Sequence, residues 1–298
     1  SSALGAMARA VASPREPGGL AATAAPGGRA RTLSPPQGRP GHFPPLPLTS
    51  DIVQSGTAQG KRKDEPREKF MARITHLRLS AKKLTSLANL GTMCPALATL
   101  FATDNRLTTL AEPTGIPQLR SLKALYLQSN VLTSLDGLSG CPMLEKLYVD
   151  GNYLRDLSGL GGCPRLEELH ASKQRSEAPL RLTLEDVAGF AGVRMLDLSH
   201  NRLEELTALQ PLQCLEVFDI RENMLASTEA LECVNMVRVA KLDCQGNPFL
   251  KQPKVRDSLI VMCPSISLLN DKEVTDKEKQ FVKQLIVRRN KANGRSSL

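Results

Sequence analysis

The nonapeptide LKALYLQSN, residues Leu122 to Asn130, carries apolar side chains at its first, fourth and sixth places and an amide at its ninth. The same pattern returns as LEKLYVDGN (Leu144 to Asn152) and again as VRMLDLSHN (Val193 to Asn201). Working outward in this register finds eight copies, with first places at Ile74, Leu97, Leu122, Leu144, Leu166, Val193, Leu215 and Val239. The steps are 23, 25, 22, 22, 27, 22 and 24 residues, and all 24 core places are apolar once Ala102, Ala171 and Cys244 are counted. A sustained step of this length makes each copy one unit of a stack, burying its apolar face only against its neighbours.

Each place has a physical task. In Leu125-Tyr126-Leu127 the two leucines of a short parallel strand point inward and the residue between them points out, because strand side chains alternate. The chain then turns and leaves backbone donors and acceptors inside the coil. An amide that both donates and accepts suits that spot, and Asn105, Asn130, Asn152, Asn201, Asn223 and Asn247 occupy it. Lys82 and Gln174 depart from the pattern. Gln174 opens the longest step, so the coil is expected to bulge there. Later leucines such as Leu135 and Leu138 are expected on one-turn or 3₁₀ segments of the outer side. The pattern is similar to that of leucine-rich repeats. It implies an α/β repeat solenoid: a leucine-rich-repeat horseshoe with a parallel concave sheet, short convex 3₁₀ or helical segments, and terminal caps.

Composition divides the chain. Ala, Gly and Pro fill 29 of the first 60 positions, too little apolar surface to offset chain entropy, so residues 1–47 read as a disordered extension. Residues 48–73 read as an N-terminal cap, with a helical turn near Ile52 and with Phe70 and Met71 closing the first repeat. The repeats then run over residues 74–247. Residues 248–287 read as a C-terminal cap and helix: Thr275 and Glu278 form a capping box, and Phe281, Val282, Leu285 and Ile286 form an apolar stripe expected to pack on the last repeats. Residues 288–298 are a basic tail.

The net charge of +9 belongs to the ends. Residues 1–60 hold five Arg against Glu16 and Asp51, and residues 272–298 hold eight Lys or Arg against three acids, which leaves the repeat body nearly neutral. No run approaches the roughly 18 apolar residues of a membrane span, so no membrane partner is expected. Cys94, Cys141, Cys163 and Cys263 each precede a Pro and read as small buried hydrophobes, with free thiols fitting a reducing compartment. No P-loop, HExxH, EF-hand or paired CxxC occurs. The expectation is a non-enzymatic chain with no cofactor and no metal.

The outward residues of the strands form a column: Arg78, Phe101, Tyr126, Tyr148, His170, Asp197, Asp219 and Asp243. Strands about 4.8 Å apart spread it over roughly 34 Å of concave surface. Rings in a row are strong interface anchors, and the aspartates offer a negative stripe for a basic patch on a protein partner. The same aspartates would repel phosphate, so direct nucleic-acid contact is not expected and a ribonucleoprotein role is the weaker alternative. His170 with Asp197 and Ser172 or Ser199 has the composition of a nucleophile triad, but an open face offers no oxyanion hole.

Four stretches extend the resemblance: ITHLRLS (Ile74 to Ser80), LEKLYVDGNYL (Leu144 to Leu154), LEELHASKQR (Leu166 to Arg175) and GNPFLKQPKVRDSLIV (Gly246 to Val261). With the long fifth step they resemble the short-period, repeat-only regulatory subunits of protein phosphatase-1, over about Leu48 to Leu285. The resemblance implies a subunit that binds the phosphatase catalytic subunit through Phe101, Tyr126, Tyr148, Asp197, Asp219 and Asp243, with His170 in the same column. It implies a place in the cytoplasm and cytoskeleton, at centrosome, basal body, cilium or flagellum, and the cationic tail from Arg288 to Arg295 fits the acidic tails of tubulin, so tubulin or other ciliary proteins are expected as further partners. The segment RVAK (Arg238 to Lys241) lacks the terminal ring of a basic-Val-x-Phe docking peptide, so contact would use the folded face. The alternative is a structural axonemal or microtubule-associated component without phosphatase binding.

Overall fold

The computed structural model describes residues 46–111 and 114–292. The expected extension over residues 1–47 lies outside the described residues except at its last two positions. There the chain is already tied down: the Leu46 N–H donates to Thr85 Oγ1 at 2.9 Å, and the Leu48 side chain is buried. The basic tail lies partly outside them as well.

Eight strands of three residues fall on the outward column and its flanks. They are β1 (His76–Arg78), β2 (Thr99–Phe101), β3 (Ala124–Tyr126), β4 (Lys146–Tyr148), β5 (Glu168–His170), β6 (Met195–Asp197), β7 (Val217–Asp219) and β8 (Lys241–Asp243). Each pairs in parallel with the next, and β9 (Leu268–Leu269) continues the parallel order before β10 (Lys272–Glu273) turns back antiparallel. The sheet is therefore ten-stranded among the described residues and open, its strands in chain order. All 24 core places are at most 1% exposed, which shows that the register read from the sequence is the register of the coil.

Between strands the chain returns along the convex side through one-turn segments. Most are 3₁₀, among them Ile116–Gln118, Leu138–Gly140, Leu160–Gly162 and Thr207–Leu209. Leu135 and Leu138 are fully buried under them. Cys94, Cys141, Cys163 and Cys263 are buried and free, and burial pushes the Cys141 thiol up to about 12; these are inert core groups.

The amides at the ninth place close the turns. Asn152 accepts from the Leu132 N–H at 3.1 Å and donates to the Leu127 and Val149 carbonyls at 3.0 and 2.8 Å. One side chain thus satisfies three buried backbone groups on two coils. Gln174 performs the same task where the pattern lapses, accepting from the Leu154 N–H at 3.1 Å and donating to the Val149 and Ala171 carbonyls at 3.0 and 3.2 Å. The extra residues of the long step pair back through a parallel bridge between Asp156 and Arg181, and they open a cleft of about 600 Å³ lined in part by Leu180, Leu182 and Leu203. The bulge is there, and the amide ladder runs through it unbroken.

Two short helices, α1 (Ser50–Ser55) and α2 (Arg67–Ala72), precede β1. Thr49 caps α1, Val53, Phe70 and Met71 are buried, and the Gly56 carbonyl accepts from the Arg78 N–H at 2.7 Å at the sheet's first edge. The convex helices α3 (Leu90–Met93) and α4 (Leu184–Ala188) replace 3₁₀ turns. At the far end, α5 (Val255–Met262) packs against α6 (Asp276–Ala292), whose first turn is capped by Thr275 Oγ1 accepting from the Glu278 N–H. The apolar stripe of α6 does not pack as expected. Val282 is buried, but Phe281 is 61% exposed and Leu285 40%. The Arg256–Glu278 ion pair at 2.8 Å fixes which side of α6 meets α5, and the stripe is wider than the face so covered.

Candidate protein-binding face

The strand register places Arg78, Phe101, Tyr126, Tyr148, His170, Asp197, Asp219 and Asp243 opposite one another in one file. Its first half is a continuous stack. Ring centroids are 4.4 Å apart from Phe101 to Tyr126, 4.6 Å from Tyr126 to Tyr148 and 4.4 Å from Tyr148 to His170, with interplanar angles of 10°, 16° and 11°. The Arg78 guanidinium caps the stack 5.4 Å from the Phe101 centroid. Parallel strands hold side chains at one spacing, and that spacing is close to the contact distance of offset rings.

The stack changes what the column exposes. Phe101 and Tyr126 are half-buried, whereas Tyr148 and His170 are buried. Each inner ring is covered on both faces by its neighbours, and the Tyr148 hydroxyl donates to Glu168. The accessible anchor is therefore the Phe101–Tyr126 pair, with Tyr148 and His170 as its foundation.

The acidic half also differs from the open negative stripe expected. Asp219 and Asp243 are buried, and Arg221 lies over them, its Nη2 2.6 Å from Asp219 Oδ2 and its Nε 3.4 Å from Asp243 Oδ2. A planar guanidinium that reaches two strands pairs with both carboxylates and offsets one of their two negative charges. Asp197 keeps 20% of its side chain exposed, and its Oδ1 accepts from the Ser199 N–H at 2.9 Å.

At the junction of the two halves sits a charged cluster. His170 Nε2 is 3.2 Å from Glu168 Oε1, and its Nδ1 is 3.7 Å from Asp197 Oδ2. Lys146 Nζ lies 2.6 Å from Glu168 Oε2. Asp150 accepts from both the Ser172 N–H and the Ser172 hydroxyl at 2.9 Å. With both ring nitrogens turned to carboxylates and Ser172 bonded to Asp150, His170 faces no serine as a base, which removes the triad geometry. Sequence reading by the fifth place of each repeat missed Lys146, Glu168, Asp150 and Arg221. They occupy third and seventh places, which flank the column on the same face, and reading those places in register would have found them.

The cluster carries a pH signature. Burial opposes charge on His170, but the carboxylates of Asp197 and Glu168 outweigh it and hold the imidazole up at about 9. Burial likewise opposes charge on Glu168, yet His170, Lys146 and Tyr148 hold it down at about 2. The imidazolium's contribution is fully present below its ordinary value of 6.5 and is lost as pH rises towards about 9. That of Glu168 is present above 4.5 and lost as pH falls towards about 2. Thermal unfolding in metal-free buffer is expected to be most resistant between these limits, with an alkaline decline that His170→Gln abolishes; an unchanged decline would assign it to other groups.

Comparison with known proteins agrees with this fold. A leucine rich repeat family profile matches residues 95–154. Solved structures of two internalins from Listeria monocytogenes superpose on it. Internalin C2 gives a TM-score of 0.55 at 17% identity over 74% of this chain and 91% of that one. InlF gives 0.51 at 17% identity over 70% and 63%. The protein has the leucine-rich repeat fold. Geranylgeranyl transferase type-2 subunit alpha from Sus scrofa and from Bos taurus is 42% identical over 79 residues, 26% of this leucine-rich repeat chain. The chain spans 13% of the length of those curated relatives. Leucine-rich repeats are protein-binding scaffolds in general, and the ring stack lies on the face such scaffolds use.

Proposed function

We propose that this leucine-rich repeat chain is a non-enzymatic scaffold that docks the catalytic subunit of protein phosphatase-1 on its concave face and places it at centrosome, basal body, cilium or flagellum. The observation that carries the docking reading is the preformed stack from Arg78 to His170. Rings already locked by one another lose little freedom on binding, so their contact area converts to affinity efficiently. The identity of the partner rests on the sequence resemblance to phosphatase regulatory subunits. The transferase likeness covers too little of either chain to support prenyl transfer.

The test is capture of the phosphatase catalytic subunit. Phe101→Ala with Tyr126→Ala removes two anchors of about 2 kcal/mol each and is expected to weaken binding on the order of 100-fold or more. Tyr148→Phe, which keeps the stack, should bind as the parent does. Undiminished capture by the double variant sinks the reading.

A second reading, a microtubule-associated structural component, is favoured by α6, which exposes Phe281, Leu285, Lys283 and Arg288 together. Co-sedimentation of the full chain, of a Phe281→Ala, Lys283→Ala variant and of the chain without residues 287–298 tests it, and a pellet unchanged in both variants sinks this second reading.

A further inference from the structure

We propose that Asp150, His170 and Asp197 form a seat for one divalent first-row transition ion on the concave face, independent of whether the phosphatase reading holds. One ligand atom from each of the three lies within 4.8 Å of the others. His170 and Asp197 end the adjacent strands β5 and β6, and Asp150 stands in the turn just after β4, where Ser172 of the next coil holds it.

Three features separate this arrangement from an incidental group of acids. The first is the gap between His170 Nδ1 and Asp197 Oδ2. At 3.7 Å it is too long for a good hydrogen bond, but it is within about 0.5 Å of the roughly 3.3–3.6 Å that separates two ligands bound to one ion at about 2.0–2.2 Å in tetrahedral geometry. The second is the support around the ligands. The far ring nitrogen of His170 faces Glu168, which is itself held by Lys146 and Tyr148, and a carboxylate behind a ligating imidazole fixes its tautomer and raises its basicity. One oxygen of each aspartate is pinned, Asp150 Oδ1 by the Ser172 N–H and hydroxyl and Asp197 Oδ1 by the Ser199 N–H. Both carboxylates are thus oriented while keeping a second oxygen for an ion.

The third is charge. Lys146 pairs with Glu168, which leaves Asp150 and Asp197 with the single imidazole of His170 between them, two carboxylates to at most one positive charge. In the neighbouring coil Gln128 holds the same seventh place as Asp150, and its Oε1 is buried without a hydrogen-bond partner. One imidazole with two carboxylates suits ions of the manganese-to-zinc series rather than a thiolate-seeking one. Binding exchanges a proton for the ion: the imidazolium Nδ1–H leaves to solvent and its nitrogen lone pair enters the coordination sphere, with no change of oxidation state.

Cobalt(II) titration of the full chain at neutral pH is the test, followed by visible absorption, with proton release read in weak buffer and zinc as competitor. The expected result is one cobalt per chain, a proton released on binding, and no sulfur charge-transfer band. Glu168→Gln should weaken binding about 10–100-fold, and the isosteric Asp150→Asn and Asp197→Asn should weaken it further while circular dichroism stays unchanged. No uptake by the parent chain overturns the proposal. So does uptake that survives both aspartate variants, or that brings in the thiolate band of the cysteines.

Discussion

Asn152→Ala is expected to lower the stability of this protein by about 2–6 kcal/mol, since a buried N–H left without a partner costs roughly 1–3 kcal/mol and each of two carbonyl hydrogen bonds lost costs roughly 0.5–1.5 kcal/mol. The side chain is 0% exposed; the Leu132 N–H loses its acceptor, while the Leu127 and Val149 carbonyls each lose one of two donors and keep Asn130 and Gln174 respectively. Water cannot take over at no cost, because the site lies beneath the turn between packed coils. A loss of this size is a large part of the roughly 5–15 kcal/mol that holds a domain together. Asn235→Ala is the control. That residue is half-buried and its side chain donates to Gln213 Oε1 at 2.7 Å and accepts from the Val237 N–H at 3.2 Å at the surface, where water can replace it, and its loss should stay within about 1 kcal/mol. Urea unfolding followed by far-UV circular dichroism measures both. If Asn152→Ala costs less than about 1 kcal/mol, the buried amide is not what closes the turn.

Gly162→Ala is expected to cost about 3 kcal/mol or more, at the upper end of what overpacking does. A methyl group there would sit 2.2 Å from the Ser139 carbonyl oxygen and 2.5 Å from the Ser139 Cα of the preceding coil. Those atoms are backbone, so relief requires moving one coil against the next. Its neighbour Gly161 has nothing within 4 Å of the same added group, and Gly161→Ala should be neutral within about 0.5 kcal/mol. Two adjacent glycines in one 3₁₀ turn therefore separate close approach from chain entropy, since both lose the same freedom in the unfolded state. Equal effects from the two, read from the same unfolding curves, would mean that coil contact on the convex side is not limiting. The same close approach recurs at Gly140, 2.3 Å from the Pro117 carbonyl oxygen.

The architecture was legible because it depends on periodicity. Apolar side chains at the first, fourth and sixth places have only one way to share an interior, and each of the 24 such places is buried. The lapses were less legible. Gln174 reads as a break, but one extra methylene lets its amide reach the same carbonyls that an asparagine would. The apolar stripe of α6 reads as fully packed, yet a stripe states only what can be buried, and the width of the facing surface decides what is.

The site was half legible. The fifth-place column, from Phe101 to Asp243, is a consequence of strand alternation and needs nothing beyond the pattern. Its accessibility is not in the pattern. Tyr148 is buried because Tyr126 and His170 cover its two faces and Glu168 takes up its hydroxyl, and the aspartates are masked because Arg221, two residues along from Asp219, folds back over them. Charge compensation depends on side-chain reach across strands, which no single repeat encodes.

By itself, then, the sequence determined the coil, its register and the identity of the residues on the concave face, since these follow from which side chains water rejects and how often they recur. Only the tertiary structure decided which of those residues are reachable and how they are charged. It turned a row of rings into a capped stack with one accessible pair. It drew Asp150, His170 and Asp197 from three separate repeats to within 4.8 Å of one another, because distances between neighbouring coils are set by packing and not by any spacing along the chain.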